Sequence, residues 1–89
     1  MQSRFKVASS SSPKRSRIDI IANILGEARK GARKTHIMYN CNLSHRQLHV
    51  YLRLLLDMEF LGCRSNVYKV TAKGFKFLDA YRTLKALMT

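Results

Sequence analysis

Ser44-His45-Arg46-Gln47-Leu48-His49-Val50-Tyr51-Leu52-Arg53-Leu54-Leu55-Leu56-Asp57-Met58 is the stretch on which the reading of this chain turns. Ser44 can accept a hydrogen bond from a free backbone N–H at a helix start, and Gln47, three residues on, can reach back to close a capping box. Leu48, Leu52, Leu55 and Leu56 then recur at helical spacing, so one face is built for burial. His45, Arg46, His49 and Arg53 fall on the opposite face. The pattern predicts a helix over about residues 45–58, roughly 20 Å long. A rod of that calibre fits a DNA major groove about 12 Å wide. A solvated surface helix has the same pattern, so the neighbouring segments carry the decision.

Immediately upstream, Thr35 is expected to cap a short helix running through Asn40, and Asn40-Cys41-Asn42-Leu43 turns the chain into Ser44. Short helix, tight turn and second helix make a helix-turn-helix arrangement. Further upstream, Ser16-Arg17-Ile18-Asp19 is a second capping-box pattern. Ile20, Ile21, Ile24, Leu25 and Ala28 extend an apolar stripe, so a first helix is expected over about 17–30, stopped by Gly31. Downstream, Phe60–Arg64 and Val67–Val70 read as two strands joined at Ser65-Asn66. Thr71 then caps a last helix from Ala72 to Met88, with Gly74 placed for close approach to the hairpin. Along it Phe77, Tyr81, Leu84 and Met88 follow a 4-3-4 spacing. Phe75 to Leu78 is expected in the core, and Tyr81 to Met88 in a seam with a second copy.

Three helices, a hairpin and a closing helix suggest a winged helix. The residues Tyr68-Lys69-Val70-Thr71-Ala72-Lys73-Gly74 resemble the hairpin-to-helix junction of many prokaryotic winged-helix regulators. Lys34-Thr35-His36-Ile37-Met38-Tyr39, followed by Asn42-Leu43-Ser44, resembles the small basic archaeal winged-helix proteins of the Sulfolobus ten-a chromatin type and related archaeal regulators. The resemblance covers about residues 16–84. It implies a mainly α fold with a small β-hairpin, a winged helix-turn-helix with a C-terminal dimerisation helix. It also implies a homodimer that binds double-stranded DNA, the recognition helix in the major groove and the wing, about 61–70, on the backbone. In the ten-a proteins the final helix is longer than the one that ends here at Thr89.

Composition agrees with a polyanion partner. The 89 residues hold 17 Lys and Arg against 5 Asp and Glu, a net charge of +12, which attracts nucleic acid or an anionic surface. The expected domain plan is a disordered basic arm at 1–15, a winged helix-turn-helix domain at 16–71 and the C-terminal helix at 72–89. Residues expected at DNA are Lys34, Thr35, Ser44, His45, Arg46, His49, Arg53, Arg64 and Lys69; those expected in the dimer interface are Phe77, Tyr81, Leu84 and Met88. Arg29, Lys30 and Arg33 add charge beside the second helix.

Other chemistries find little footing. Cys41, His45 and His49 are spaced by fours, but Cys41 lies ahead of the helix start, and Arg46 excludes the H-E-x-x-H zinc motif. There is no glycine-rich phosphate loop and the five acids are scattered, so no catalytic residue, metal site, cofactor or small-molecule ligand is expected. No apolar run approaches the ~18 residues of a membrane span. Cys41 and Cys63 are expected as reduced, buried thiols. The expectation is a cytoplasmic, nucleoid-associated transcription regulator. An architectural chromatin protein on the same fold is the nearest alternative, and an RNA-binding or protein-interacting winged helix is the alternative of another class.

Overall fold

The computed structural model describes residues 15–89. The expected basic arm, apart from Arg15, lies outside the described residues. Four helices and one hairpin follow in order: α1 Arg17–Glu27, α2 Lys34–Asn40, α3 His45–Asp57, β1 Leu61–Arg64, β2 Val67–Val70 and α4 Ala72–Leu87.

Local side-chain chemistry starts three of the helices. Ser16 Oγ accepts from the Asp19 N–H while an Asp19 carboxylate oxygen accepts from the Ser16 N–H, which opens α1. Ser44 and Gln47 make the same reciprocal pair at α3. Thr71 Oγ1 accepts from the Gly74 N–H at 3.0 Å and donates to the Glu59 carbonyl at 2.6 Å, so one hydroxyl caps α4 and ties it to the end of α3. Two helices close with paired backbone bonds through a left-handed residue. After α2, Asn42 (φ 55°) and Leu43 donate to Tyr39 and Met38. After α3, Glu59 (φ 65°) and Phe60 donate to Leu56 and Leu55.

Between α1 and α2 the structure departs from expectation. The first helix ends at Glu27, not Lys30, and Arg33 rather than Thr35 takes the cap position of α2, without a side-chain bond. The cause is a non-local pairing. Ala32 and Tyr68 exchange backbone hydrogen bonds at 2.9 and 2.8 Å, and the Val70 N–H donates to the Ala28 carbonyl. The segment after Ala28 is thus drawn along β2 as a third, minimal strand. Gly31, at φ 101°, makes the turn that lets it do so. Thr35 is left in the first turn of α2, exposed.

The two strands pair antiparallel, Leu61 opposite Val70 and Arg64 opposite Val67. Ser65 and Asn66 both have positive φ, the geometry of a two-residue turn matched to strand twist. Ile24, Leu25, Ile37, Leu48 and Leu55 are the largest fully buried side chains, so α1, α2 and α3 meet in one core. The hairpin closes it with Leu61, Tyr68 and Val70. α4 crosses α1 and β2, and Gly74 and Leu78 face inward from it.

Gly74 lets α4 approach the hairpin: a Cβ there would overlap the Phe60 carbonyl oxygen and lie 2.7 Å from Val70 Cγ1. That contact sets the rotation of α4. Phe75, one residue on, is turned roughly 100° away and is 43 % exposed rather than in the core. Cys63 also departs from expectation. Cys41 is buried, and its thiol is pushed up to about 11 chiefly by that burial, whereas Cys63 is exposed on the edge strand β1, opposite Tyr68 of β2, which the Ala32 bridge covers on its other side.

Candidate nucleic-acid interface

α3 presents its outer face as expected. Leu48, Leu52 and Leu55 are buried, and His45, Arg46, His49 and Arg53 are exposed. The capping box leaves Ser44 and the first turn at the surface, so His45 and Arg46 project from a helix start fixed by two hydrogen bonds. The His45 and His49 rings sit one turn apart, centroids 5.0 Å, tilted at 48°. Cys41 is packed into the core and does not join them. Among the described residues no group of three or more His, Cys, Asp or Glu is placed to hold a metal ion.

Several further basic residues line three surface grooves. One cleft of about 320 Å³ lies between the start of α2 and the hairpin turn, lined by Arg33, Lys34, Thr35, Asn66 and Tyr68. The Ala32–Tyr68 bridge makes it, because it pins the residue before Arg33 to the hairpin. Arg64 and Lys69 line a second groove, of about 560 Å³, along the hairpin with Gly62, Cys63 and Val67. A third, of about 350 Å³, joins Arg17 at the start of α1 to Val50, Tyr51, Arg53, Leu54 and Asp57 of α3. Thus Lys34 and Thr35 share one cleft, Arg64 and Lys69 another, and Arg53 lies with Arg17 in the third.

Arg17, Asn66 and Val50 were not singled out by the sequence as site residues. Arg17 and Asn66 carry no local signal, since only the packing of α1 and the hairpin brings them there. Val50 was legible in principle, because it lies two residues from Leu48 and therefore on the outer face. Arg15, placed in the basic arm by composition, is anchored instead: its guanidinium donates to the Cys41 carbonyl at 2.7 Å and the Asn42 carbonyl at 3.2 Å, within the turn that leads into α3.

The electrostatics are one-sided. Among the described residues the ion pairs are Glu27–His36, Asp79–Arg82 and Asp19–Lys85. None involves Arg17, Arg33, Lys34, Arg46, Arg53, Arg64 or Lys69, and among the residues that line the three grooves Asp57, beside Arg17 and Arg53, is the one carboxylate.

The expected dimer residues divide. Phe77 and Tyr81 are half-buried on their own chain, Phe77 against Phe60 with ring centroids at 5.3 Å. The Tyr81 hydroxyl donates to Asp19 Oδ1 at 2.6 Å. That bond, with the Ser16 contacts, holds the Asp19 carboxyl down at about 2, and the same bond raises the Tyr81 hydroxyl. Leu84 and Met88 are exposed, as is Leu87.

Comparison with known proteins agrees with this architecture. The crystal structure of Sso10a-2, a DNA-binding protein from Sulfolobus solfataricus, superposes with a TM-score of 0.75 at 18 % identity, covering 83 % of this chain and 82 % of that one. At that identity the likeness is one of fold. An uncharacterized protein of Methanocaldococcus jannaschii is 41 % identical over 69 residues, which are 76 % of this chain and 33 % of the relative. The chain thus spans about a third of the length of that relative. Both organisms are archaea. No helix among the described residues is long and apolar enough to cross a membrane. The model of the winged helix-turn-helix family matches residues 14–89, and the chain belongs to that family.

Proposed function

We propose that this protein binds double-stranded DNA as a transcription regulator, with α3 in the major groove and the hairpin against the phosphate backbone. The observation that carries the reading is the set of unpaired cations on α3, on α2 beside the hairpin turn, and on the hairpin itself. In this reading Arg46 and His49 reach base edges. Ser44, His45 and Arg53 flank them on α3, and Lys34, Thr35, Arg64 and Lys69 hold phosphates. The fold shared with Sso10a-2, itself described as a DNA-binding protein, supports it.

The dimer expected from the sequence remains part of the proposal, with its contact shifted to the end of α4. Phe77 and Tyr81 spend much of their surface on their own chain, while Leu84, Leu87 and Met88 offer an uncovered apolar strip. Burying those three against a second copy supplies about 4–7 kcal/mol before association costs. A dimer also presents two recognition helices to half-sites a helical turn, or a multiple of one, apart.

Selection of bound sequences from a random duplex pool, followed by salt titration, tests the proposal. A regulator prefers its selected site over random duplex by about 10³ or more. With about six phosphates neutralised, log K falls against log salt with a slope near −5. Equal affinity for all duplexes refutes the regulator and leaves an architectural role. Tighter binding to structured RNA than to any duplex refutes DNA as the partner.

A further inference from the structure

Most of the outer face of α3 is polar, with one exception at its centre. Val50 lies roughly 200° around the helix from Leu48, nearly opposite the buried row. It is 59 % exposed. Arg46 precedes it by four residues and Arg53 follows it by three, so both are its neighbours on the helix surface. Val50 lines a groove with the charged Arg17, Arg53 and Asp57 and with Tyr51 and Leu54.

The fold has no use for an apolar residue there. Val50 is absent from the core and from the half-buried side chains packed on it. A β-branched side chain at an exposed helical position is also a poorer helix former than Lys, Glu or Ala. What a cation-flanked apolar spot on such a face suits is the major-groove edge of a base pair. On that edge the apolar group is the C5-methyl of thymine, and apolar side chains recognise it by contact.

We propose that Val50 is a specificity-determining residue, which seats a thymine methyl between the contacts made by Arg46 and Arg53. The proposal rests on the reading of α3 as a major-groove helix and adds what that helix prefers: a thymine near the middle of each half-site. The guanidinium groups hold the helix at the anionic duplex, and Val50 discriminates without a hydrogen bond. Uracil differs from thymine only by lacking the methyl, so it isolates the contact.

The test uses the full chain and duplexes selected from a random pool, each made with thymine throughout and with uracil at one position at a time. Binding is followed by fluorescence anisotropy for the wild type, Val50→Ala and Val50→Thr. Val50→Thr keeps the branched shape and exchanges one methyl for a hydroxyl. The wild type is expected to lose about fourfold in affinity at one thymine per half-site, the worth of one buried methyl-sized group. Val50→Ala is expected to bind the thymine and uracil versions alike, and Val50→Thr to discriminate less than the wild type. If the wild type binds duplexes but no uracil position matters, or if Val50→Ala keeps the discrimination, the assignment to Val50 is overturned while DNA binding stands. If no duplex is bound, the reading of α3 fails and this proposal fails with it.

Discussion

Two glycines in helices offer opposite outcomes from the same substitution. Gly26 lies near the end of α1, exposed, and a Cβ added there meets nothing within 4 Å. Gly26→Ala therefore gains helix propensity, about 1 kcal/mol at most, without a packing cost. Gly74 lies in the first turn of α4, and its added Cβ would overlap the Phe60 carbonyl oxygen and sit 2.7 Å from Val70 Cγ1. Val70 can rotate a methyl group, but Phe60 O is backbone and accepts the Thr71 N–H at 3.0 Å. Relief thus requires α4 to lift from the hairpin. Overpacking of this kind costs about 1–3 kcal/mol or more, and it outweighs the propensity gain. We expect Gly74→Ala to lower Tm by roughly 5–15 °C and Gly26→Ala to raise it by a few degrees, at about 4–8 °C per kcal/mol for a domain of this size. Thermal and urea melts followed by circular dichroism measure both. A Gly74→Ala variant as stable as the wild type would refute the close approach. Loss of stability in Gly26→Ala would show that the open space beside α1 is filled in solution.

Further outcomes follow from the interface and from the packing of α4. Replacing Arg64 and Lys69 together with Ala should weaken binding to all duplexes alike and make the salt slope shallower by about 1–2; selective loss for one sequence would mean that the wing reads bases. Arg46→Ala should cost about 1–3 kcal/mol in binding to the selected duplex, and unchanged affinity in the Arg46→Ala, His49→Ala double variant would place binding on another surface. Because Asp19 titrates at about 2 in the fold against an ordinary 3.8, its stabilisation is present above pH 3.8 and declines as pH falls toward 2. Tyr81→Phe removes the largest cause, so urea melts at pH 5 and pH 2.5 should differ less for the variant than for the wild type, and an equal difference would deny Tyr81 that role. Leu84→Asp should give a folded monomer that binds DNA more weakly, and sedimentation equilibrium showing a monomeric wild type at about 100 µM would end the dimer proposal.

Acid is also where the local and the tertiary parts of the structure come apart. Asp19 was legible as half of a capping box with Ser16, because a box spans three residues and depends on nothing further away. The same holds for Ser44 with Gln47, for Thr71, and for the Ser65-Asn66 turn. The leucine row and the basic row of α3 follow from the helical period once its start is known. These short-range rules were enough to order four helices and a hairpin, and to place Arg46, His49 and Arg53 on an outer face. Net charge, which needs no structure at all, pointed to a polyanion.

What the tertiary structure decided rests on contacts between residues far apart in the chain. The apolar stripe of α1 runs to Ala28 and predicts a helix as far as Lys30, but hydrogen bonds from Val70 and with Tyr68 take the backbone of Ala28 and Ala32 into the sheet. The helix stops early as a result, the cap of α2 moves from Thr35 to Arg33, and the cleft beside Asn66 comes into being. Asp19 meets Tyr81 across 62 positions, which commits to the chain's own body an aromatic whose spacing suited a seam. Gly74 against Phe60 turns Phe75 outward, though its neighbours predicted a core residue. Arg15 reads as the end of a basic arm, and Arg17 only as part of a helix start, until packing carries them to the turn before α3 and to its outer groove. Helical period and capping act over three or four residues and are written into local sequence. Which partner a backbone carbonyl, a ring or a guanidinium finds depends on how the elements pack, and no local pattern in the sequence encodes that.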